Sequence, residues 1–135
     1  MTTKEAKQWL WRARGIDRKL AALQDARDEE YNRAVSIVSQ LSGMTVSGSK
    51  DPHKYDHLAE LDDTIKRLSA DLTAAKDQLI TAIYRLEDQR YCEVLTYYYV
   101  NCMSLEQTAV KMGYSFQHVK RLRNQAIAVI KDELE

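Results

Sequence analysis

The sequence predicts an all-α protein, a long antiparallel, coiled-coil-like helical hairpin followed by a C-terminal helix-turn-helix module. Three observations carry this. Helix breakers are scarce, with one Pro and four Gly in 135 residues. Apolar residues recur at steps of three and four along two long segments, the spacing that lines one face of a helix. Near the C-terminus, two further segments each open on a serine in capping position, Ser104 and Ser115, and Met112-Gly113-Tyr114 separates them.

The first segment runs from about Thr3 to Leu41. Trp9, Ile16, Leu20, Leu23, Ala34, Ile37 and Leu41 recur on one stripe, which Arg27 and Glu30 interrupt. Trp9 and Trp11 are two apart, so one faces the seam and the other points to solvent or onto the C-terminal module. Gly43, Gly48 and four Ser/Thr between 42 and 49 mark a loop over about 42–51. Asp51 as N-cap and Pro52 at the first helical position restart the chain.

The second helix has the cleaner pattern. Leu58, Leu61, Ile65, Leu68, Leu72, Ala75, Leu79, Ala82 and Leu86 alternate steps of three and four, which makes a coiled-coil seam. Two helices of similar length joined by a short loop fold back on each other. Each spans roughly 50 Å at the α-helical rise. Residues 1–86 are therefore read as a hairpin serving oligomerisation or partner contact. A two-helix hairpin buries little, so its seam needs a third element. The C-terminal helices and a second copy of the chain, giving a homodimer, both remain open.

Residues 87–135 read as shorter helices. One spans about Asp88 to Val100, with Val94, Leu95 and Tyr98 inward. Ser104 and Gln107 form a capping box for the next, Leu105 to Met112, which stops at Gly113. Ser115 caps the last, whose inner face carries Val119, Leu122, Ala126 and either Val129 or Ile130. The connections Asn101-Cys102-Met103 and Gly113-Tyr114 are short, so the flanking helices must cross steeply, as a helix-turn-helix requires.

Twenty basic and twenty acidic residues cancel. That balance excludes a protein that coats nucleic acid through bulk charge, so any such face must be local. Residues 107–131 contain Lys111, Lys120, Arg121, Arg123 and Lys131 and no acid. Residues 3–20 hold Lys4, Lys7, Arg12, Arg14, Arg18 and Lys19 against Glu5 and Asp17. In a hairpin this second cluster lies near the end of helix two and extends a nucleic-acid footprint, or else is a solvated face balancing nearby acids.

No apolar run approaches the roughly 18 residues of a membrane span, and a signal-peptide core is missing from the N-terminus. The expectation is a cytoplasmic chain without membrane contact. Cys92 and Cys102 read as small buried hydrophobes, not as a disulfide or metal pair. His53 and His57 are four apart, a spacing that can hold zinc, but a site needs a third ligand and Asp56 lies on another face. They read as surface histidines. No nucleophile triad, phosphate loop or acid pair stands out, so neither an enzyme nor a cofactor is expected.

Val94-Leu95, Tyr99-Val100, Ser104-Leu105-Glu106-Gln107, Ala109, Met112-Gly113, Ser115, Val119 and Lys120 align without a gap on the pattern of sigma-factor region four and its relatives. The chain departs from that pattern at Thr108, usually Ile, at Cys102, commonly Gly, and in the run Tyr97-Tyr98-Tyr99. The resemblance covers roughly residues 88–130. The whole layout also resembles small phage-encoded regulators from Gram-positive hosts, the ArpU/RinA type of late-transcription activators and related proteins of unassigned role.

Carried over position by position, the resemblance implies that Ser104–Met112 is the positioning helix and that Phe116 to about Lys131 is the recognition helix. It nominates Gln117, His118 and Arg121 for the groove floor, with Asn124 one turn on. Arg suits a guanine edge and Asn or Gln an adenine edge. Lys120 and Arg123 fit phosphate, and Ser115 offers its hydroxyl or the helix N-terminus to a phosphate. A basic helix is often only a solvated face, but Lys120 and Arg121 lie in its first half, where the helix dipole disfavours cations.

The expected function is that of a sequence-specific double-stranded DNA-binding transcription regulator, phage or prophage encoded. It would act near a promoter with RNA polymerase, which the exposed surface of the 88–100 helix would contact. Two other readings stay open: a DNA-packaging recognition subunit of the phage small-terminase type, assembled as a ring, and a protein-interaction adaptor that keeps the module without binding DNA.

Overall fold

The computed structural model describes residues 1–41 and 55–135. Its elements are α1 (Thr3–Leu41), α2 (Asp56–Ile83), α3 (Gln89–Leu95), a π-helical turn (Thr96–Val100), α4 (Leu105–Met112) and α5 (Phe116–Glu133). The described residues are thus all-helical, with no strand among them. No helix among them is long and apolar enough to cross a membrane. The expected loop at 42–51, the Asp51-Pro52 cap and His53 lie outside the described residues.

The N-terminus of α1 carries a signal the periodicity does not report. The Glu5 N–H donates to Thr2 Oγ1 (3.2 Å) and the Thr2 N–H donates to Glu5 Oε2 (3.4 Å). This is a reciprocal capping box that satisfies two otherwise orphaned donors.

The described residues form two compact units, Met1–Asp17 with Asp71–Glu135, and Arg18–Ala70. In the second, Leu20, Ala34 and Leu58 are buried, while Leu23, Leu61, Ile65 and Leu68 are half-buried. The residues that interrupt the stripe of α1 pair with α2. Arg27 Nε lies 2.9 Å from Asp62 Oδ1, and Glu30 Oε1 lies 3.8 Å from His57 Nε2. Later positions of α1 meet earlier ones of α2, so the two segments run in opposite directions here. The Arg27 guanidinium also lies 5.4 Å from the Tyr31 ring centroid.

The first unit holds a single apolar core. Ala6, Leu10 and Ala13 of α1 meet Ala75, Leu79, Ala82 and Ile83 of α2, together with Val94, Leu95, Val119, Leu122, Ala126, Ile127 and Ile130. Fully burying a side chain of the Leu or Ile class contributes about 1.5–3 kcal/mol, and Leu10, Leu79, Ile83, Leu95, Leu122, Ile127 and Ile130 are all essentially inaccessible. Where the sequence suggests a boundary at 86/87, these contacts group the base of α1 and the end of α2 with the C-terminal helices. Trp9 packs on this core, while Trp11 is 37% exposed.

Two positions depart from the sequence expectation for 88–100. Asp88 accepts the Arg90 N–H (2.9 Å) and caps α3, and the Arg90 guanidinium beside it holds its carboxyl below the usual carboxylate range. Beyond Leu95 the helix widens, and the Asn101 N–H reaches back five residues to the Thr96 carbonyl (2.9 Å). That extra residue turns the face, so Tyr99 and Val100 enter the core while Tyr98 stays half-buried at its rim. The inward tyrosine is therefore Tyr99, not Tyr98.

At two positions where the sequence departs from the pattern it resembles, the local geometry is defined. Cys102 takes φ 56°, the left-handed region where glycine is the unstrained residue. Thr108 is fully buried, and its Oγ1 donates to the Ser104 carbonyl (2.8 Å), so its hydroxyl is satisfied inside the helix.

Candidate nucleic-acid interface

The geometry of α4 and α5 follows from caps. The Gln107 N–H donates to Ser104 Oγ (3.1 Å), and the Ser104 N–H donates to Gln107 Oε1 (3.0 Å). At the other end Gly113 has φ 74°, and the N–H groups of Gly113 and Tyr114 close on the Ala109 carbonyl at 2.9 and 3.0 Å. Two residues later Ser115 Oγ accepts the His118 N–H (3.2 Å) and starts α5.

The core face of α5 is set by Val119, Leu122, Ala126, Ile127 and Ile130, all buried. Ile130 takes the inward position and Val129 is 40% exposed, which resolves that pair. At about 100° per residue, the opposite face collects Gln117, Arg121 and Asn124, with Lys120 beside them, and all four are exposed. Among the described residues, neither Lys120 nor Arg121 has a carboxylate within ion-pair distance. The first turn of α5 holds no acid.

The other three nominated residues are engaged within the fold. Ser115 caps α5 through its oxygen, which leaves its O–H free to donate. His118 is half-buried, its ring edge-on to Tyr114 at 4.6 Å between centroids and 82° between planes. Arg123 is half-buried, its guanidinium 5.0 Å from the centroid of Tyr98 and its Nη2 3.5 Å from Asn124 Oδ1. It sits at the flank of α5, between the core and the outer face.

The N-terminal basic cluster divides in the same way. Lys4, Lys7 and Lys19 are exposed. Arg12 donates to Gln78 Oε1 (2.6 Å) and to the Trp9 carbonyl (3.3 Å). Arg14 turns inward, and its Nη1 donates to the carbonyls of Tyr98 (2.6 Å) and Met103 (2.8 Å). Sequence reasoning grouped Arg14 with its basic neighbours and missed this role. The signal was its register, one residue beyond Ala13 and four beyond Leu10, at the edge of the buried face.

Both thiols lie half-buried. Cys92 Sγ donates toward the Ile83 and Leu86 carbonyls (3.4 and 3.5 Å), and Cys102 Sγ toward those of Tyr99 and Val100 (3.9 and 3.8 Å). Burial pushes both thiols above their ordinary pKa, the direction opposite to that of a reactive cysteine. His57 is exposed, with Glu30 and Glu60 near it. No group of three or more metal-ligating side chains occurs among the described residues.

Comparison with known proteins found no matching family model, no matching curated protein and no matching solved structure.

Proposed function

We propose that the protein is a sequence-specific double-stranded DNA-binding transcription regulator in which α4 and α5 form a helix-turn-helix of the sigma region-four type. The observation that carries this reading is the outer face of α5, where Gln117, Lys120, Arg121 and Asn124 stand exposed and no acid partners Lys120 or Arg121. A rod about 10–12 Å wide fits the major groove. In this reading α4 positions the rod, and Arg121, Gln117 and Asn124 meet base edges while Lys120 meets phosphate. His118, Ser115 and Arg123 support the same surface from its flanks.

α1 and α2 are read as the hairpin that carries the module. Leu23, Leu61, Ile65 and Leu68 are half-buried where, among the described residues, α1 and α2 meet. That favours self-association there, so a homodimer is part of the proposal. Contact with RNA polymerase and a phage or prophage origin rest on the family resemblance alone. The same half-buried seam is what a ring-forming DNA-packaging subunit would use. Solution mass separates the two, a dimer supporting the regulator and an octamer or larger ring the packaging subunit.

The test is a fluorescence-anisotropy titration onto mixed-sequence duplex DNA at several salt concentrations, beside a Lys120→Ala/Arg121→Ala double variant. Binding that weakens steeply with salt, with a shallower slope in the variant, is expected. No binding by the unaltered chain near 50 mM salt would leave the adaptor reading in its place.

A further inference from the structure

Arg14, Tyr98 and Arg123 meet at the flank of α5. The Arg14 guanidinium lies 4.3 Å from the Tyr98 ring centroid and the Arg123 guanidinium 5.0 Å from it. One aromatic ring therefore holds two cations from opposite ends of the chain. Cation–π attraction favours each contact taken singly, while the like charges repel. No ion pair neutralises them: among the described residues neither arginine has an ion-pair partner. Asp17, which like Arg14 acts electrostatically on the Cys102 thiol, makes no ion pair with Arg14.

The hydrogen-bond inventory points the same way. The Nε atoms of both arginines are buried without a partner. Arg14 uses Nη1 on two carbonyls, and Arg123 makes only the 3.5 Å contact to Asn124. The bond from Arg14 to Tyr98 goes to the main-chain carbonyl, and the half-buried Tyr98 ring adds its hydroxyl as a further donor. Two guanidinium groups and a phenolic O–H around one ring make a donor set in which both buried Nε–H groups lack an acceptor. A tetrahedral oxyanion supplies several acceptor atoms and the missing charge.

We propose that Arg14, Tyr98 and Arg123 form a phosphate grip that takes one phosphodiester of the DNA backbone beside α5. Lys120 lies three residues before Arg123 and one step nearer the outer face, so the same strand passes from the grip to Lys120. The grip ties the start of α1 to the reading helix, and this places α1 against the DNA through one residue instead of through its whole basic cluster. The proposal rests on the DNA-binding reading of α5.

The test uses the full chain and four variants in the same salt-series anisotropy titration, with thermal melts as a check on folding. Tyr98→Phe keeps the ring and removes the hydroxyl; it is expected to weaken binding several-fold without lowering the melting temperature. Arg123→Gln is expected to weaken binding about tenfold and to make the salt slope shallower by about one contact. Arg123→Lys keeps the slope and loses part of the affinity. The grip is overturned if Tyr98→Phe and Arg123→Gln bind as the unaltered chain does while Lys120→Ala/Arg121→Ala weakens binding; the reading of α5 then survives alone. If the unaltered chain binds no duplex, the reading of α5 fails and inorganic pyrophosphate decides the grip. A rise in melting temperature that Arg123→Gln lacks would support an anion site for free phosphate, and no rise would overturn it.

Discussion

Arg14 holds Tyr98 by both its main chain and its ring: Nη1 donates to the Tyr98 carbonyl at 2.6 Å, and the guanidinium lies 4.3 Å from the ring centroid. The same Nη1 reaches the Met103 carbonyl at 2.8 Å, so one side chain of α1 spans the turn between the π-helical segment and α4. That turn leaves the helical ladder, and its carbonyls need partners from elsewhere.

Arg14→Gln is therefore expected to destabilise the fold by about 2–3 kcal/mol, because charge-assisted bonds to two carbonyls are lost together with the ring contact. Urea denaturation monitored by circular dichroism measures it. A loss near zero would mean that water replaces the guanidinium without cost.

Among the described residues two occupy the left-handed region, Gly113 at φ 74° and Cys102 at φ 56°, and they predict opposite outcomes. A Cβ at Gly113 meets nothing within 4 Å, so Gly113→Ala carries only the backbone cost, about 1–2 kcal/mol. Gly113→Asn is expected to cost less, since Asn tolerates this region. Cys102→Gly relieves the same kind of strain and loses a half-buried thiol, so its stability should equal or exceed that of the unaltered chain. A loss above about 2 kcal/mol there would show that packing of the thiol outweighs the backbone term.

Burial pushes the Tyr99 hydroxyl up to about 12, against an ordinary value of 10.0, with Arg123 and Arg14 opposing the shift. An unfolded chain then loses this proton near pH 10 while the folded chain keeps it. Below pH 10 the group favours neither state. Above it the unfolded state is favoured, so stability falls as pH rises toward 12, by up to about 2 kcal/mol. Tyr99→Phe should lose less stability than the unaltered chain between pH 8 and pH 11 in paired urea melts. Equal losses would mean that Tyr99 ionises inside the fold as it does outside.

How much was legible in the sequence depended on whether the cause was local. The extent of α1, the capping box of Ser104 and Gln107, the glycine stop at 113 and the serine cap at 115 all arise within a few residues, and periodicity and cap chemistry reveal them. Periodicity gave the inner face of α5, Val119, Leu122 and Ala126, with Val129 and Ile130 left open; of the residues the family resemblance nominated, Gln117, Lys120, Arg121 and Asn124 stand exposed, while His118 and Arg123 are half-buried. Contacts across the chain were not legible. A π-helical turn shifted the inward tyrosine from 98 to 99, a one-residue change that a fixed 3.6-residue period cannot anticipate.

Local periodicity and the placing of apolar residues suffice to make the described residues all-helical and to leave α5 a basic, amide-bearing outer face. Contacts between elements far apart in the chain set which cations stay on that solvated surface and which turn inward. Arg14 and Arg123 are ordinary members of basic clusters in the sequence. They differ from Lys120 and Arg121 because distant elements bring the Tyr98 ring, and for Arg14 two open carbonyls as well, within their reach.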